Sequence, residues 1–237
     1  MISNQGKPPF AVRVWHLLLR TGFHLLYNEL AWTYDGVSWL VSRGQWRDWQ
    51  RAGLPFLHSD NVLELAHGPG HMLLELEMVG FRPIGLDLSP FMGNLAKKNL
   101  RKAGSKANLV RSRAQALPFP DKTFDNILAT FPTEFIVDPK TVSEVRRTLK
   151  SGGNVVIVAE AQLTGGGIIR GIIEWLYFVT GQRQFFQGDQ DEAKFWLRSR
   201  QSYVDAGFDV RLEQVRLEDS IVTVAIASKS DRPEWLP

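Results

Sequence analysis

The sequence predicts an α/β protein with a doubly wound sheet of seven strands, and three observations lead to this fold class. From residue 61 onward, short apolar runs alternate with amphipathic helical segments, as parallel β-α-β units require. The last two apolar runs are joined by a turn too short for a crossover helix, so the last strand must be antiparallel. The composition, with 44% hydrophobic and 22% charged residues, is that of a globular protein.

The elements follow from this alternation in chain order. Short apolar runs bounded by polar or turn-forming residues predict strands at 61–66, 83–88, 108–110, 124–130, 154–159, 208–215 and 221–227. Segments with helical periodicity predict helices at 70–79, 91–103, 138–149 and 192–206.

The N-terminal part has a different character from the rest of the chain. Five of the eight tryptophans lie before residue 50, and apolar residues recur at helical spacing from about residue 10 to 30. A second helical segment follows and ends near Gly53. We therefore expect a helical cap at 1–58, a sheet domain at 59–228 with an insertion at about 162–190, and a tail at 229–237.

Composition and charge exclude several classes of protein. The 237 residues include no cysteine, which rules out disulfide scaffolds, thiolate metal sites and cysteine nucleophiles. The formal net charge is only +3, without the basic stripe of nucleic-acid binders, so no nucleic-acid partner is expected. No apolar stretch is long enough for a transmembrane helix and no signal peptide is evident, so we expect a cytoplasmic protein.

The turn after the first strand carries the chemistry. Gly68 and Gly70 let the backbone approach a ligand at the start of a helix, whose first N–H groups are unpaired. Asp87 lies 19 residues beyond Gly68, at the end of the second strand, where a carboxylate can accept both hydroxyls of a ribose. This order predicts a nucleoside cofactor at the carboxyl ends of the strands.

Missing features narrow the choice of cofactor. Leu73 stands where a dinucleotide fingerprint places a third small residue, and no Gly-Lys-Ser or Gly-Lys-Thr triplet follows the glycines, which argues against NAD and ATP. His67 and His71 do not share a regular helix face and have no evident third ligand, so no metal is expected.

Four segments together carry a family resemblance: Glu64–Gly70, Gly85–Met92, Ala114–Asp125 and Leu149–Gly153. In their order and spacing the chain resembles class I S-adenosylmethionine-dependent methyltransferases from about residue 28 to 228. The resemblance is strongest to the quinone-biosynthesis-like group of small-molecule enzymes. It implies a Rossmann-like methyltransferase fold, S-adenosylmethionine as cofactor, and methyl transfer to a small acceptor.

The resemblance also assigns roles within the cofactor site. Glu64 and the backbone of the following turn would hold the methionine part, Asp87 the ribose hydroxyls, and neighbouring apolar residues the adenine. A Tyr-Asp pair in the N-terminal helices often closes over the cofactor in this family, and Tyr34-Asp35 matches it. The cofactor-binding residues implied are Tyr34, Glu64, Ala66, His67, Gly68, Gly70, Asp87, Leu88, Met92, Arg113, Ala114 and Thr130.

Three positions depart from the family pattern. Ala66 replaces the first glycine, which an alanine can do if its φ stays negative. His67 replaces a small residue or cysteine, and a ring packed beside the turn is the favoured interpretation. Arg113 stands where the family keeps an aspartate that accepts a hydrogen bond from the adenine, and a guanidinium can only donate.

The acceptor side is expected to form from the loop 130–135, the N-terminal helices and a lid at 165–181. Phe131 and Tyr177 are candidate substrate contacts, and the apolar lid favours an apolar or aromatic acceptor, although an ordinary core helix would give the same pattern. Glu134 is the candidate to orient or deprotonate the acceptor; its alternative role is a helix cap or a solvent-exposed side chain.

Two other functions remain open at this stage. One is a cofactor-binding protein of the same fold that does not transfer methyl groups, which Arg113 favours. The other is a protein that lies on a membrane surface through Arg13, His16, Arg20 and His24. The sequence leaves open the acceptor molecule, the acceptor atom and the oligomeric state.

Overall fold

The computed structural model describes residues 44–164 and 200–229 of the chain. Its strands are β1 (Asn61–Leu65), β2 (Arg82–Asp87), β3 (Asn108–Arg111), β4 (Phe124–Thr130), β5 (Leu149–Leu163), β6 (Phe208–Arg216) and β7 (Ser220–Lys229). Its helices are α1 (Trp46–Arg51), α2 (His71–Met78), α3 (Pro90–Ala103), α4 (Pro139–Thr148) and α5, described over 200–205. Short 3₁₀ helices lie at Leu54–Phe56 and Glu134–Val137.

The seven strands form one sheet in the order β3-β2-β1-β4-β5-β7-β6. The pairs from β3 to β5 are all parallel, and β7 runs antiparallel to both β5 and β6. The sheet predicted from the sequence, with the last strand antiparallel, is therefore confirmed.

The sheet is covered on both faces, and alternate strand residues divide between two apolar clusters. Leu63 and Ile127 point to the face covered by α4 and α5, where Tyr203 is buried. Val62 and Leu128 point to the other face, together with Met72 of α2 and Trp49 of α1. Strands buried on both faces account for the nearly continuous apolar runs in the sequence.

One strand is much longer than expected. β5 was predicted at 154–159 but spans Leu149–Leu163. Its first part pairs with β4, and after a register shift at Val158/Glu160 its last part pairs only with β7. Antiparallel pairing with a long neighbour lets β5 continue past the edge of the parallel sheet, and the polar residues there gave no strand signal.

Several expectations fall on residues outside the described ranges. These are the first helical segment at 10–30, the Tyr34-Asp35 pair, the lid at 165–181 with Tyr177, and the first part of the helix predicted at 192–206. Within the described residues, no helix is long and apolar enough to cross a membrane.

Candidate active site

The candidate site lies where the strand order reverses. β2 and β3 lie on one side of β1 and β4 lies on the other, so a crevice opens between the carboxyl ends of β1 and β4. Ala66 follows β1 and Phe131 follows β4, and both have a left-handed backbone, with φ of 57° and 49°. Such a conformation costs a residue with a Cβ about 1–3 kcal/mol and is concentrated at functional sites.

The turn after β1 uses positive φ at every second residue. Gly68 has φ of 52° and Gly70, the N-cap of α2, has φ of 82°. A Cβ on Gly70 would lie 3.0 Å from the Cβ of Ala96, so glycine also allows α2 and α3 to approach closely. A Cβ on Gly68 would meet nothing within 4 Å, which leaves the backbone there open to a ligand.

Ala66 does not meet the condition under which an alanine was expected to be tolerated here without strain. Its φ is positive, at 57°. The Ala66 N–H donates to the carbonyl oxygen of Leu86 at 2.7 Å, which ties the start of the turn to the end of β2. The alanine therefore adopts a conformation that glycine would adopt without strain.

Asp87 connects the turn after β1 with the start of α3. Its Oδ2 accepts the N–H of Gly68 at 3.0 Å, and its Oδ1 accepts the N–H of Ser89 at 2.8 Å. A carboxylate has about four acceptor positions, so each oxygen keeps one for a ribose hydroxyl. Ser89 in turn caps α3 by accepting the N–H of Met92.

Glu64 is a buried carboxyl group without full hydrogen bonding. The residue is 1% exposed, and its Oε2 has no hydrogen-bond partner among the described residues. Burial and, to a lesser extent, the nearby charge of Asp87 raise its pKa well above the usual value of 4.5. A cationic ligand group beside Glu64 would supply both the missing partner and a compensating charge.

His67 packs beside the turn, as the sequence favoured. It is buried, and its Nδ1 lies 2.8 Å from the carbonyl oxygen of Gly68, so Nδ1 carries the proton and donates. Burial lowers its pKa, which keeps the ring neutral. The ring fills the space over Gly85, where a Cβ would lie 2.9 Å from His67 Cδ2. Among the described residues, no group of three or more His, Asp or Glu could hold a metal ion.

The residues expected to contact the adenine lie just after β2, in α3 and in the loop after β3. Leu88 is 54% exposed beside Asp87, whereas Met92 and Ala114 are buried. Arg113 lies at the expected place in the sequence of the loop but is exposed, and its side chain makes no hydrogen bond within the described residues. The Arg113 side chain thus lies at the surface, next to the buried Ala114.

The support for that loop was not predicted from the sequence. Arg147 of α4 donates to the carbonyl oxygens of Leu117 and Phe119, and Glu144 accepts the N–H of Leu117 at 2.7 Å. Arg147 and Glu144 also bond to each other, which lowers the pKa of Glu144. The detectable signal was an acid and an arginine three residues apart on a predicted helix.

The loop after β4, where the acceptor is expected to bind, packs against α1. The ring of Phe131 stacks on Trp46 at 4.6 Å between centroids, and Thr130 Oγ1 accepts Gln50 Nε2 at 3.0 Å. Trp46 and Gln50 were not among the expected site residues. Glu134 lies exposed in the first turn of the 3₁₀ helix that follows, where its carboxylate faces solvent.

Comparisons with known proteins agree with this geometry. Residues 62–153 match the family model of a methyltransferase domain. The chain is 32% identical over 141 residues to a demethylmenaquinone methyltransferase of Symbiobacterium thermophilum, and the aligned part covers 55% of this chain and 56% of that protein. It is also 32% identical to a ubiquinone/menaquinone biosynthesis C-methyltransferase of an Enterobacter species, covering 56% and 57%. The chain thus spans little more than half the length of these relatives.

The fold has a counterpart over its full length. A solved structure from Methanococcus maripaludis, of a protein classed among the S-adenosyl-L-methionine-dependent methyltransferases, covers 99% of both chains with a TM-score of 0.64 and 17% identity. Over residues 62–153 the chain is thus similar to methyltransferase domains, and it has the fold of class I S-adenosylmethionine-dependent methyltransferases. The family resemblance inferred from the four sequence segments is confirmed, and S-adenosylmethionine is the cofactor of this family.

The residues of the candidate site fit that cofactor. S-adenosylmethionine carries a cationic amino group, a sulfonium, a ribose diol and an adenine. The unpartnered oxygen of Glu64 suits a cationic group, the open side of Gly68 admits a ligand, and Asp87 keeps acceptor capacity for a diol. The exposed Leu88 offers an apolar surface to an adenine face.

Proposed function

We propose that this methyltransferase transfers the methyl group of S-adenosylmethionine to a small apolar or aromatic acceptor. The proposal depends on the presence of two carboxyl groups on neighbouring strands. Asp87 accepts hydrogen bonds from Gly68 and Ser89, and the buried Glu64 has an oxygen without a hydrogen-bond partner among the described residues. Two carboxyl groups at the ends of β1 and β2 fit a ligand that bears both a cation and a diol.

The bound cofactor supplies an activated methyl group to a nucleophilic atom of the acceptor. The protein contributes by placing that atom in line at near-attack distance, which is worth up to about 7–11 kcal/mol in favourable cases. Phe131 lies at the mouth of the crevice, fixed by its stacking on Trp46 and by its N–H bond to the carbonyl oxygen of Val158. A rigid aromatic wall of this kind suits a flat apolar acceptor.

We assign Glu134 the role of orienting or deprotonating the acceptor. It lies three residues after Phe131 at the same edge of the sheet, and its carboxylate is exposed and so not committed to the protein core. Glu134→Gln should then lower kcat more than it raises KM, because the interaction matters most while the nucleophile loses its proton. An unchanged kcat would remove Glu134 from the mechanism.

The names of the relatives support a quinol-type ring as the acceptor, since they are demethylmenaquinone and ubiquinone/menaquinone biosynthesis methyltransferases. The test is an assay of the purified protein with S-adenosylmethionine and a panel of quinols, phenols and hydrophobic amines. Mass spectrometry should detect a methylated product and S-adenosylhomocysteine in equal amounts. Binding of the cofactor without methylation of any panel member would point instead to a cofactor-binding protein of the same fold.

A further inference from the structure

The distribution of charge along the chain is strongly uneven. Residues 88–120 contain seven of the 28 Lys and Arg and none of the 25 Asp and Glu. The rest of the chain therefore carries a net negative charge. The seven cations are all exposed, and they are Lys97, Lys98, Arg101, Lys102, Lys106, Arg111 and Arg113.

Four of these cations share the outer surface of α3. Lys97, Lys98, Arg101 and Lys102 line one open surface depression together with Asn94, and we call these four side chains the cationic face. None of the four forms an ion pair with a described residue. Arg111 extends the positive charge at the carboxyl end of β3, where its Nε donates to the carbonyl oxygen of Leu88.

The stability of the helix does not account for this arrangement. Arg101 and Lys102 lie in the last turn, where cations interact favourably with the helix dipole. Lys97 and Lys98 lie earlier, and each is four residues from another cation, which destabilises a helix. A solvent-exposed helix face normally mixes both signs of charge, whereas α3 contains no acid. The uncompensated charge therefore fits an anionic partner.

Apolar residues adjoin the cationic face at the end nearer the candidate active site. Phe91 is 46% exposed in the first turn of α3, and Leu88 just before the helix is 54% exposed. The spacing of Phe91, Lys98 and Lys102 places them on one side of the helix. An aromatic ring aligned with lysines is typical of helices that lie in the interface of a lipid bilayer.

We propose that the cationic face and Phe91 bind the surface of a membrane that contains anionic phospholipids. Lysine and arginine side chains would lie against the headgroups while the Phe91 ring enters the boundary of the acyl chains. A nucleic acid would interact with the cations but would gain little from the exposed Phe91 ring, so the lipid surface is the better match. Leu88 follows Asp87 directly, so the bound membrane would lie next to the mouth of the site. An acceptor dissolved in the membrane would then be close to the site. The proposal does not depend on methyl transfer.

Co-sedimentation with vesicles tests the proposal. The full chain should bind vesicles of phosphatidylcholine with about one third phosphatidylglycerol, release them at high salt, and bind phosphatidylcholine alone weakly. The α3 variant replaces Lys97, Lys98, Arg101 and Lys102 with Gln. Each basic residue at an anionic surface contributes roughly fivefold to partitioning, so this variant should bind at least tenfold more weakly.

The matched control removes the same number of positive charges elsewhere. It replaces the exposed Arg47, Lys122, Lys140 and Arg216 with Gln, and it should bind vesicles nearly as well as the wild type. A third variant, Phe91→Ala, should weaken binding at every salt concentration, because its contribution is apolar. Thermal unfolding of each variant, and calorimetric titration with S-adenosylmethionine, separate a folding defect or a failed cofactor site from a lost membrane contact.

Three results would overturn the proposal. The first is equal vesicle binding by the α3 variant and the control. The second is loss of binding in an Arg13→Gln/Arg20→Gln variant while the α3 variant still binds, which would move the contact to the N-terminal segment. The third is tighter, α3-dependent binding of a short DNA duplex than of the anionic vesicles, which would identify a nucleic acid as the partner.

Discussion

Replacing Glu64 with Gln should stabilise the free protein and weaken cofactor binding. The substitution keeps the shape of the side chain and removes its ability to ionise. In the folded protein the pKa of Glu64 lies well above 4.5, chiefly because the carboxyl is buried. Each unit of that increase corresponds to about 1.4 kcal/mol between the two protonation states.

The sign of the pH dependence follows from the raised pKa. Between 4.5 and the folded pKa, the native state holds a proton that the unfolded state has released, so the free energy of unfolding falls as pH rises. The stabilising contribution of protonated Glu64 is thus fully present below 4.5 and is lost as pH rises toward the folded pKa. Glu64→Gln should therefore gain stability over the wild type at neutral pH and show no gain near pH 4.

Urea unfolding across this pH range measures the effect on the free energy of unfolding. The control is Glu134→Gln at an exposed position, and its free energy of unfolding should stay within about 0.5 kcal/mol of the wild type at each pH. Calorimetric titration with S-adenosylmethionine should show the opposite sign, a loss of about 1.5–3 kcal/mol in Glu64→Gln, as for a hydrogen bond to a charged group. Cofactor binding by the wild type should release a proton and strengthen with pH. An unaltered pH profile of stability together with full affinity in Glu64→Gln would refute this account of Glu64.

Three further substitutions test the packing and the expected adenine contacts. Gly85→Ala should lower the free energy of unfolding by about 1–3 kcal/mol, because its Cβ would lie 2.7 Å from Leu73 Cδ1. The control Gly93→Ala has open space around its Cβ in α3 and should raise the free energy of unfolding by about 0.5–1 kcal/mol. Equal effects of the two substitutions in thermal unfolding would contradict the crowding at Gly85. Arg113→Asp should leave stability within about 0.5 kcal/mol and tighten S-adenosylmethionine binding by supplying an acceptor for the adenine amino group, and weaker binding in calorimetry would show that Arg113 makes a favourable contact.

The sheet could be predicted from the sequence because each parallel strand is buried on both faces. β4 was predicted with its observed bounds, since its apolar run begins and ends with the strand. The short link between β6 and β7 settled their antiparallel pairing. The ends of β5 could not be predicted, because its last residues are held by backbone pairing with β7 and their side chains are only half-buried or exposed.

The site could be predicted only where its chemistry depends on local sequence. Gly68, Gly70 and Asp87 come together as expected because β1 and β2 are neighbouring parallel strands. The contacts of Gln50 with Thr130 and of Trp46 with Phe131 join residues about 80 positions apart, and no local pattern indicates them. The left-handed backbone at Ala66 was not predicted because an alanine carries no local signal for it, and the Ala66 N–H is bonded to Leu86 on another strand.

Calorimetric titration with S-adenosylmethionine of the wild type, Asp87→Ala and Asp60→Ala tests the central claim most directly. Asp60 is an exposed carboxylate before β1, paired with Arg82, and it serves as the matched control. The account predicts one binding site in the wild type and in Asp60→Ala, and a loss of about 1.5–3 kcal/mol in Asp87→Ala, which removes the acceptor for the ribose hydroxyls. No binding by the wild type, or equal binding by Asp87→Ala, would contradict it.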